Sequence, residues 1–206
     1  MSTLIVIAKA PAAGRVKTRL TPHFTPEEAA ELARAALADT FAAVLATPAA
    51  RRVLALDGLP GSWVPEGIEV VPQSTGGLDA RLAAAFDEAA GPALLIGMDT
   101  PQVTPELLAR GLDFDGTDAW FGAAEDGGFW ALGLAEPDPA LILGVPMSVP
   151  HTGREQRRRL TESGRAVRDL PVLRDVDTPA DAAAVAATAP GSRFAALHRS
   201  RRAVTR

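Results

Sequence analysis

The 206-residue chain contains no cysteine, which excludes disulfides, thiolate metal ligands and a cysteine nucleophile. No apolar run approaches the roughly 18 residues that a membrane-spanning helix needs, so no membrane partner is expected. The apolar stretch Leu4 to Ala8 is too short for a signal core and lacks a basic flank, which makes the cytoplasm the default location. There is no Ser-His-Asp order and no nucleophile elbow. Walker spacing is missing too, because two residues separate Gly14 from Lys17, and so is the Rossmann glycine fingerprint.

What is present is ordinary for a globular domain: 47% hydrophobic and 22% charged residues, in a length that can bury a sizeable core. The net charge of −4 hides an asymmetry. Arg193, Arg199, Arg201, Arg202 and Arg206 crowd the last fourteen residues without an acid, leaving a body of 16 basic and 25 acidic residues. An acidic body argues against nucleic acid as the main partner. The expected organisation is one domain over 1–189 and a basic tail over 190–206. That tail has too few apolar residues to fold alone, so it is expected to be disordered.

Thr3 to Ala8 is a run of branched apolar residues without alternation, as in a strand buried on both faces of a parallel sheet. It runs into Lys9-Ala10-Pro11-Ala12-Ala13-Gly14-Arg15-Val16-Lys17-Thr18-Arg19-Leu20, a loop of small residues and four cations. In open α/β sheets ligands sit just beyond the carboxyl ends of strands, where such a loop falls. Two readings are open for it: a cradle for a phosphorylated, nucleotide-like ligand, or a solvated basic turn.

Downstream, strand and helix patterns alternate at the spacing of βαβ units. Thr25-Pro26-Glu27-Glu28 starts a helix that runs to about Leu45. Arg52 to Leu56, Ile68 to Val71 and Ala93 to Ile96 read as strands, with a helix from Leu78 to about Ala89. Ala119 to Ala123 and Phe129 to Leu134 read as strands, Thr152 to Ser163 as a basic helix, and Ala166 to Leu170 as a further strand. The last expected helix ends near Ala187. The fold class is α/β, a mostly parallel sheet with helices on both faces.

Asp-Thr-Pro occurs twice, at Asp99-Thr100-Pro101 and Asp177-Thr178-Pro179, each before a capped helix. Both aspartates then fall at the sheet edge that carries Lys17. Mg²⁺ takes one or two carboxylates together with phosphate oxygens and water, so Asp99 and Asp177 can hold Mg²⁺ or Mn²⁺ on a nucleotide. Thr178 with Asp181 can instead be a plain helix cap.

These segments, with Glu125-Asp126-Gly127-Gly128-Phe129, occur in an order that resembles the DUF2064 family of GT-A nucleotide-diphospho-sugar transferases. Lys17-Thr18-Arg19-Leu20 also resembles the phosphate loop of 2-phospholactate guanylyltransferases. The resemblance implies a Rossmann-like three-layer α/β/α sandwich and a transferase. It makes Asp99 and Asp177 metal ligands, and Lys17 and Arg19 the holders of the triphosphate. It places Ala8, Lys9, Ala10 and Gly14 at the nucleotide, and Gln73, Gly76 and Gly77 at the base. Asp126, Gly127, Gly128, Trp130, His151 and Thr152 fall on the acceptor side. Phe129 departs from the family's usual Tyr, which removes a hydroxyl, and the segment Met147 to Thr152 departs as well.

Other candidates keep a plain structural alternative. His151 is a loop histidine that either meets the acceptor or is simply solvated. Trp63, Trp120 and Trp130 can stack on a base or sugar, with Trp120 the core residue by pattern and Trp130 the stacking candidate. Arg154, Arg157, Arg158 and Arg159 read as a solvated helix face. The favoured expectation is an enzyme that transfers NMP from an NTP to a small anionic acceptor. Lys17, Arg19, Asp99 and Asp126 are its catalytic candidates. A glycosyltransferase using a nucleotide-sugar and a non-catalytic nucleotide-binding domain are the alternatives. A homodimer through a sheet edge or loop stays open.

Overall fold

Strand β1, Thr3–Lys9, lies in the middle of a seven-stranded sheet because both of its faces are apolar. Leu4, Val6 and Ala8 enter one core cluster, while Ile5 and Ile7 pack with the other. The computed structural model describes residues 2–21 and 23–204, with side chains as far as residue 201. Around β1 stand β2 (Arg51–Asp57), β3 (Glu69–Pro72), β4 (Ala93–Ile96), β5 (Ala119–Ala124), β6 (Phe129–Leu134) and β7 (Val167–Leu173). Their order is β3-β2-β1-β4-β6-β5-β7, and β6 alone runs antiparallel to its neighbours β4 and β5.

Helix α1 (Pro26–Ala46) and helix α3 (Pro105–Gly111) cover one face, supplying Leu37, Phe41 and Leu108. Helix α2 (Leu78–Asp87) and helix α4 (Thr152–Glu162) cover the other, supplying Leu82, Phe86 and Leu160. The expected three-layer α/β/α sandwich is the observed one. Period-two alternation in β1, β2 and β4 divides their apolar side chains between the two clusters. Helix α1 starts where its capping box predicts: Thr25 Oγ1 accepts the Glu28 N–H at 3.2 Å, and Glu28 Oε2 accepts the Thr25 N–H at 2.9 Å.

Two expectations need correction. Strand β7 continues past Leu170 through Pro171 to Leu173. Proline is tolerated there because β7 is an edge strand and needs no donor on its outer side. The tail is not disordered: Arg193–Val204 is a helix, α6, packed on α1 and on α5 (Pro179–Thr188). Phe194 and Ala195 are buried among Leu20, Phe24, Leu32 and Val185, forming a third cluster. The basic composition misleads because α1 turns acids towards it. Asp39 accepts the Arg193 and Phe194 N–H groups at 3.0 and 2.8 Å, and Arg201 pairs with Glu28 and Glu31. Thr205 and Arg206 lie outside the described residues. Among the described residues no helix is long and apolar enough to cross a membrane.

Candidate active site

The loop after β1 is pinned at two depths. Val16 is buried in the cluster under α1, and Leu20 in the cluster under α6. Between them Lys17 takes a left-handed conformation, φ 52° and ψ 34°, uncommon for a residue with a long side chain. That turn sends the Lys17 chain inward until only 6% of it is exposed. Its ammonium lies 2.6 Å from Asp99 Oδ1 and 3.7 Å from Asp177 Oδ1, and it donates to the Val176 carbonyl. Val176 N–H in turn donates to the Asp99 carbonyl at 2.9 Å, which stitches the two Asp-Thr-Pro segments together. Arg19 remains 76% exposed, with Nη1 3.2 Å from Asp177 Oδ2.

Asp175 is the site residue that reading the motifs missed. Its Oδ1 is buried without a hydrogen-bond partner. Burial, and then the charges of Asp99 and Asp126, push its carboxyl up to about 7 against the pull of Lys17. The signal was available: in an extended segment, residues two apart point the same way, so Asp175 accompanies Asp177.

These groups line a cavity of about 790 Å³ over the carboxyl ends of the strands, within the usual range for small-molecule sites. One wall is Ala8, Lys9, Gln73, Leu78 and Arg81; the opposite wall is Asp126, Gly128, Phe129, the segment Met147 to Pro150 and Thr152. Lys17, Arg19, Asp99, Asp175 and Asp177 also line it. Ala10 instead lines a smaller cavity of about 260 Å³, which shares Lys9 and Arg15 with the first. Gly14, Gly76, Gly77, Gly127 and His151 line neither.

Several of the expected residues have their polar groups committed within the fold. Gln73 spends its amide on structure: Nε2 donates to the Ala8 and Ala55 carbonyls at 2.8 and 3.0 Å, while Oε1 accepts from Arg81. Trp130 borders the cavity but is only 2% exposed, and its indole N–H donates to the Pro171 carbonyl at 3.0 Å. It is a core residue and offers no face for stacking. His151 is exposed and precedes α4 without capping it through its side chain. Thr152 is buried, its hydroxyl accepting from Val149 N–H and donating to the Pro146 carbonyl. It therefore shapes the wall rather than offering a free hydroxyl.

The Gly127 turn and the start of α4 meet at backbone contact. Gly153 N–H donates to the Gly127 carbonyl at 2.8 Å, and a Cβ on Gly127 would stand 2.0 Å from the Pro150 carbonyl oxygen. Ser148, on that wall, has φ 59°. Lys17 and Ser148 are the two non-glycine positive-φ residues among the described ones, and they line the same cavity. Such strain concentrates where a site must be preorganised.

The donor chemistry suits a hard divalent cation: three aspartates, one with an orphaned buried oxygen. Among the described residues no three such side chains are already grouped as a metal cage, because the Lys17 ammonium bridges Asp99 and Asp177. The expected pair is thus brought together by a lysine.

The chain is similar to a crystal structure of a Desulfovibrio desulfuricans G20 protein provisionally described as a nucleotide-diphospho-sugar transferase. That match has 25% identity and TM-score 0.88 and covers 98% of this chain and 95% of that one. It shares its fold with Mycobacterium tuberculosis H37Rv Rv0371c, solved as a manganese complex, at 23% identity and TM-score 0.56 over 89% of this chain and 96% of that one. Fold and site define a transferase of the GT-A class, whose members transfer nucleotidyl or sugar groups. A phosphoenolpyruvate guanylyltransferase from Thermomonospora curvata is 37% identical over 196 residues, covering 89% of this chain and 83% of that protein. The profile of the family described as "Uncharacterized protein conserved in bacteria (DUF2064)" matches residues 30–149. The chain belongs to the DUF2064 family.

Proposed function

We propose that the protein is a divalent-metal-dependent nucleotidyltransferase that moves a nucleoside monophosphate from an NTP to a small anionic acceptor. The observation that carries this reading is the convergence of Lys17 and Arg19 with Asp99, Asp175 and Asp177 in one cavity. Cations alone would serve any phosphate, and carboxylates alone would repel one. Together they suit a polyphosphate that arrives with its own cation. The guanylyl transfer named for the T. curvata relative supports GTP as the donor.

In the reaction an acceptor oxygen attacks the α-phosphorus in line, the bond to the bridging oxygen of the β-phosphate breaks, and pyrophosphate leaves. An acceptor that is already an anion needs no general base, so the protein contributes position and electrostatics. Lys17 and Arg19 neutralise the charge gathering on the pyrophosphate. Asp99, Asp175 and Asp177 would hold Mg²⁺ or Mn²⁺, which when bound neutralises the phosphates and fixes their orientation. Lys17 exchanges Asp99 for phosphate as the nucleotide enters. The acceptor lies against Asp126, Gly128 and the strained Ser148 segment.

A thermal-shift screen with Mg²⁺ or Mn²⁺ against NTPs, NDPs and nucleotide-sugars tests the reading. A ligand held only by the folded state stabilises it by about 2.7 kcal/mol at a hundredfold excess over its dissociation constant. Selective stabilisation by an NTP, followed by pyrophosphate release with an anionic acceptor, is the expected result. Preference for a nucleotide-sugar would favour glycosyl transfer, the reading suggested by the D. desulfuricans similarity, with Asp126 as the base for a hydroxyl acceptor. Binding without turnover under any acceptor would make this a nucleotide-binding domain.

A further inference from the structure

One charged pair, Arg81 in the nucleotide wall and Asp57 beside it, has no part in that chemistry. Asp57 ends β2 and is the register partner of Lys9 at the end of β1, so both sit at the carboxyl edge of the sheet. Arg81 reaches the same edge from α2. Its Nη1 lies 3.2 Å from Gln73 Oε1 and 3.9 Å from Asp57 Oδ2. The second separation exceeds hydrogen-bond length, so the pair is not closed on itself. The Arg81 Nε is buried without a partner. Both side chains are partly exposed, Arg81 at 24% and Asp57 at 37%.

Arg81 lines the larger cavity and Asp57 the smaller, and Lys9 and Arg15 belong to both. The pair therefore stands where the two cavities meet, beside the loop that carries Lys17 and Arg19. Gln73 fixes it there: with both amide hydrogens committed to strand ends, Gln73 can show Arg81 only its acceptor oxygen.

We infer that Asp57 and Arg81 select the base of the bound nucleotide and that the base they select is guanine. This inference rests on the nucleotidyltransferase reading above. A guanidinium beside a carboxylate presents donors next to acceptors. Guanine presents the complement along one edge: the O6 acceptor, then the N1–H and N2–H donors. Arg81 donates to O6, and Asp57 accepts from N1–H and the 2-amino group. Adenine reverses the polarity, setting its N6 donor against Arg81 and its N1 acceptor against Asp57. Cytosine does the same with N4 and N3. Uracil matches at O4 and N3–H but lacks the amino group, so UTP ranks second.

The test is titration of the full chain, with Mg²⁺ present, against GTP, ITP, XTP and ATP. Wild type should bind GTP roughly ten- to a hundredfold tighter than ITP or ATP, the range of one well-placed bidentate contact. Asp57→Asn should lose GTP affinity and gain XTP affinity, because the new amide donates to the O2 of xanthine. Arg81→Met should bring GTP and ATP closer together. The XTP gain cannot come from a misfolded protein, so it decides the case even if Arg81→Met proves unstable. An Asp57→Asn protein with the wild-type ratio of GTP to XTP affinity overturns the inference, as does a wild type that binds all four alike. A wild type that binds no NTP overturns the parent reading, and this inference with it.

Discussion

Burial, with other carboxylates close by, raises the Asp175 carboxyl far above its ordinary value, so that it is still partly protonated at neutral pH. Its carboxyl rises from 3.8 in the open chain to about 7 in the folded protein. The folded state therefore holds the extra proton between those values, and stability falls as pH rises through that window. At about 1.4 kcal/mol per pK unit, the metal-free protein loses on the order of a few kcal/mol between pH 4 and pH 7.5. Asp175→Asn should remove that slope and raise the melting temperature at pH 8 in the presence of chelator; an unchanged slope would assign it elsewhere. Asp99, Asp177 and Lys17 were legible in the sequence because repeated Asp-Thr-Pro and a basic loop are unusual in combination. Asp175 was hidden by its apolar neighbour Val176. Gln73 and Trp130 show a different limit: a sequence shows that a polar or aromatic side chain is near a site, not where its hydrogen bonds are already spent.

At the scale of elements, the loop 9–20 and the segment before α4 carry the two non-glycine positive-φ residues among the described ones, Lys17 and Ser148. Lys17→Met should lower turnover roughly 10²- to 10³-fold, as loss of one transition-state donor does. It should also tighten Mn²⁺ binding in the absence of nucleotide, since the ammonium that bridges Asp99 and Asp177 is gone. Calorimetry showing weaker Mn²⁺ binding would mean that Lys17 assembles the carboxylates rather than competing for them. Across the cavity, a Cβ on Gly153 would meet the Gly128 carbonyl oxygen at 2.3 Å. The hydrogen bond from Gly153 to Gly127 prevents an easy retreat. Gly153→Ala should therefore cost about 1–3 kcal/mol, the usual range for overpacking. It should also raise KM for the acceptor, because the Gly128 wall moves. Gly191→Ala, with nothing within 4 Å, is the control that should leave both unchanged. Most element positions were legible because caps and short apolar runs bounded by turn residues are local signals. The β4-β6-β5 antiparallel insertion was not, since pairing direction depends on partners distant in sequence.

Across the whole molecule, the last helix and the phosphate loop share one apolar cluster, and this ties the basic C-terminal segment to the site. Leu20, which ends the turn carrying Lys17 and Arg19, is fully buried with Phe24, Leu32 and Phe194. Acids of α1 pair with two cations of α6, Asp39 with Arg193 and Glu28 and Glu31 with Arg201, so part of the basic charge of the C-terminal segment is met within the chain. Nothing local announces this: Phe194 and Ala195 form a short apolar patch that becomes a helix face only against α1 and α5. Phe194→Ala should cost about 3–5 kcal/mol of unfolding free energy, as large-to-small changes at buried aromatic positions do. If α6 only adds stability, kinetics measured well below the new melting temperature should match wild type. If it also braces the loop, slackening Leu20 lets Lys17 leave its left-handed turn, and KM for the nucleotide rises while the acceptor KM stays. We expect the second outcome. Leu20 has no other cluster to lean on, whereas Val16 alone fixes only the near end of the loop. A nucleotide KM equal to wild type in a measurably destabilised Phe194→Ala protein would uncouple helix from loop and leave α6 as a structural brace for α1.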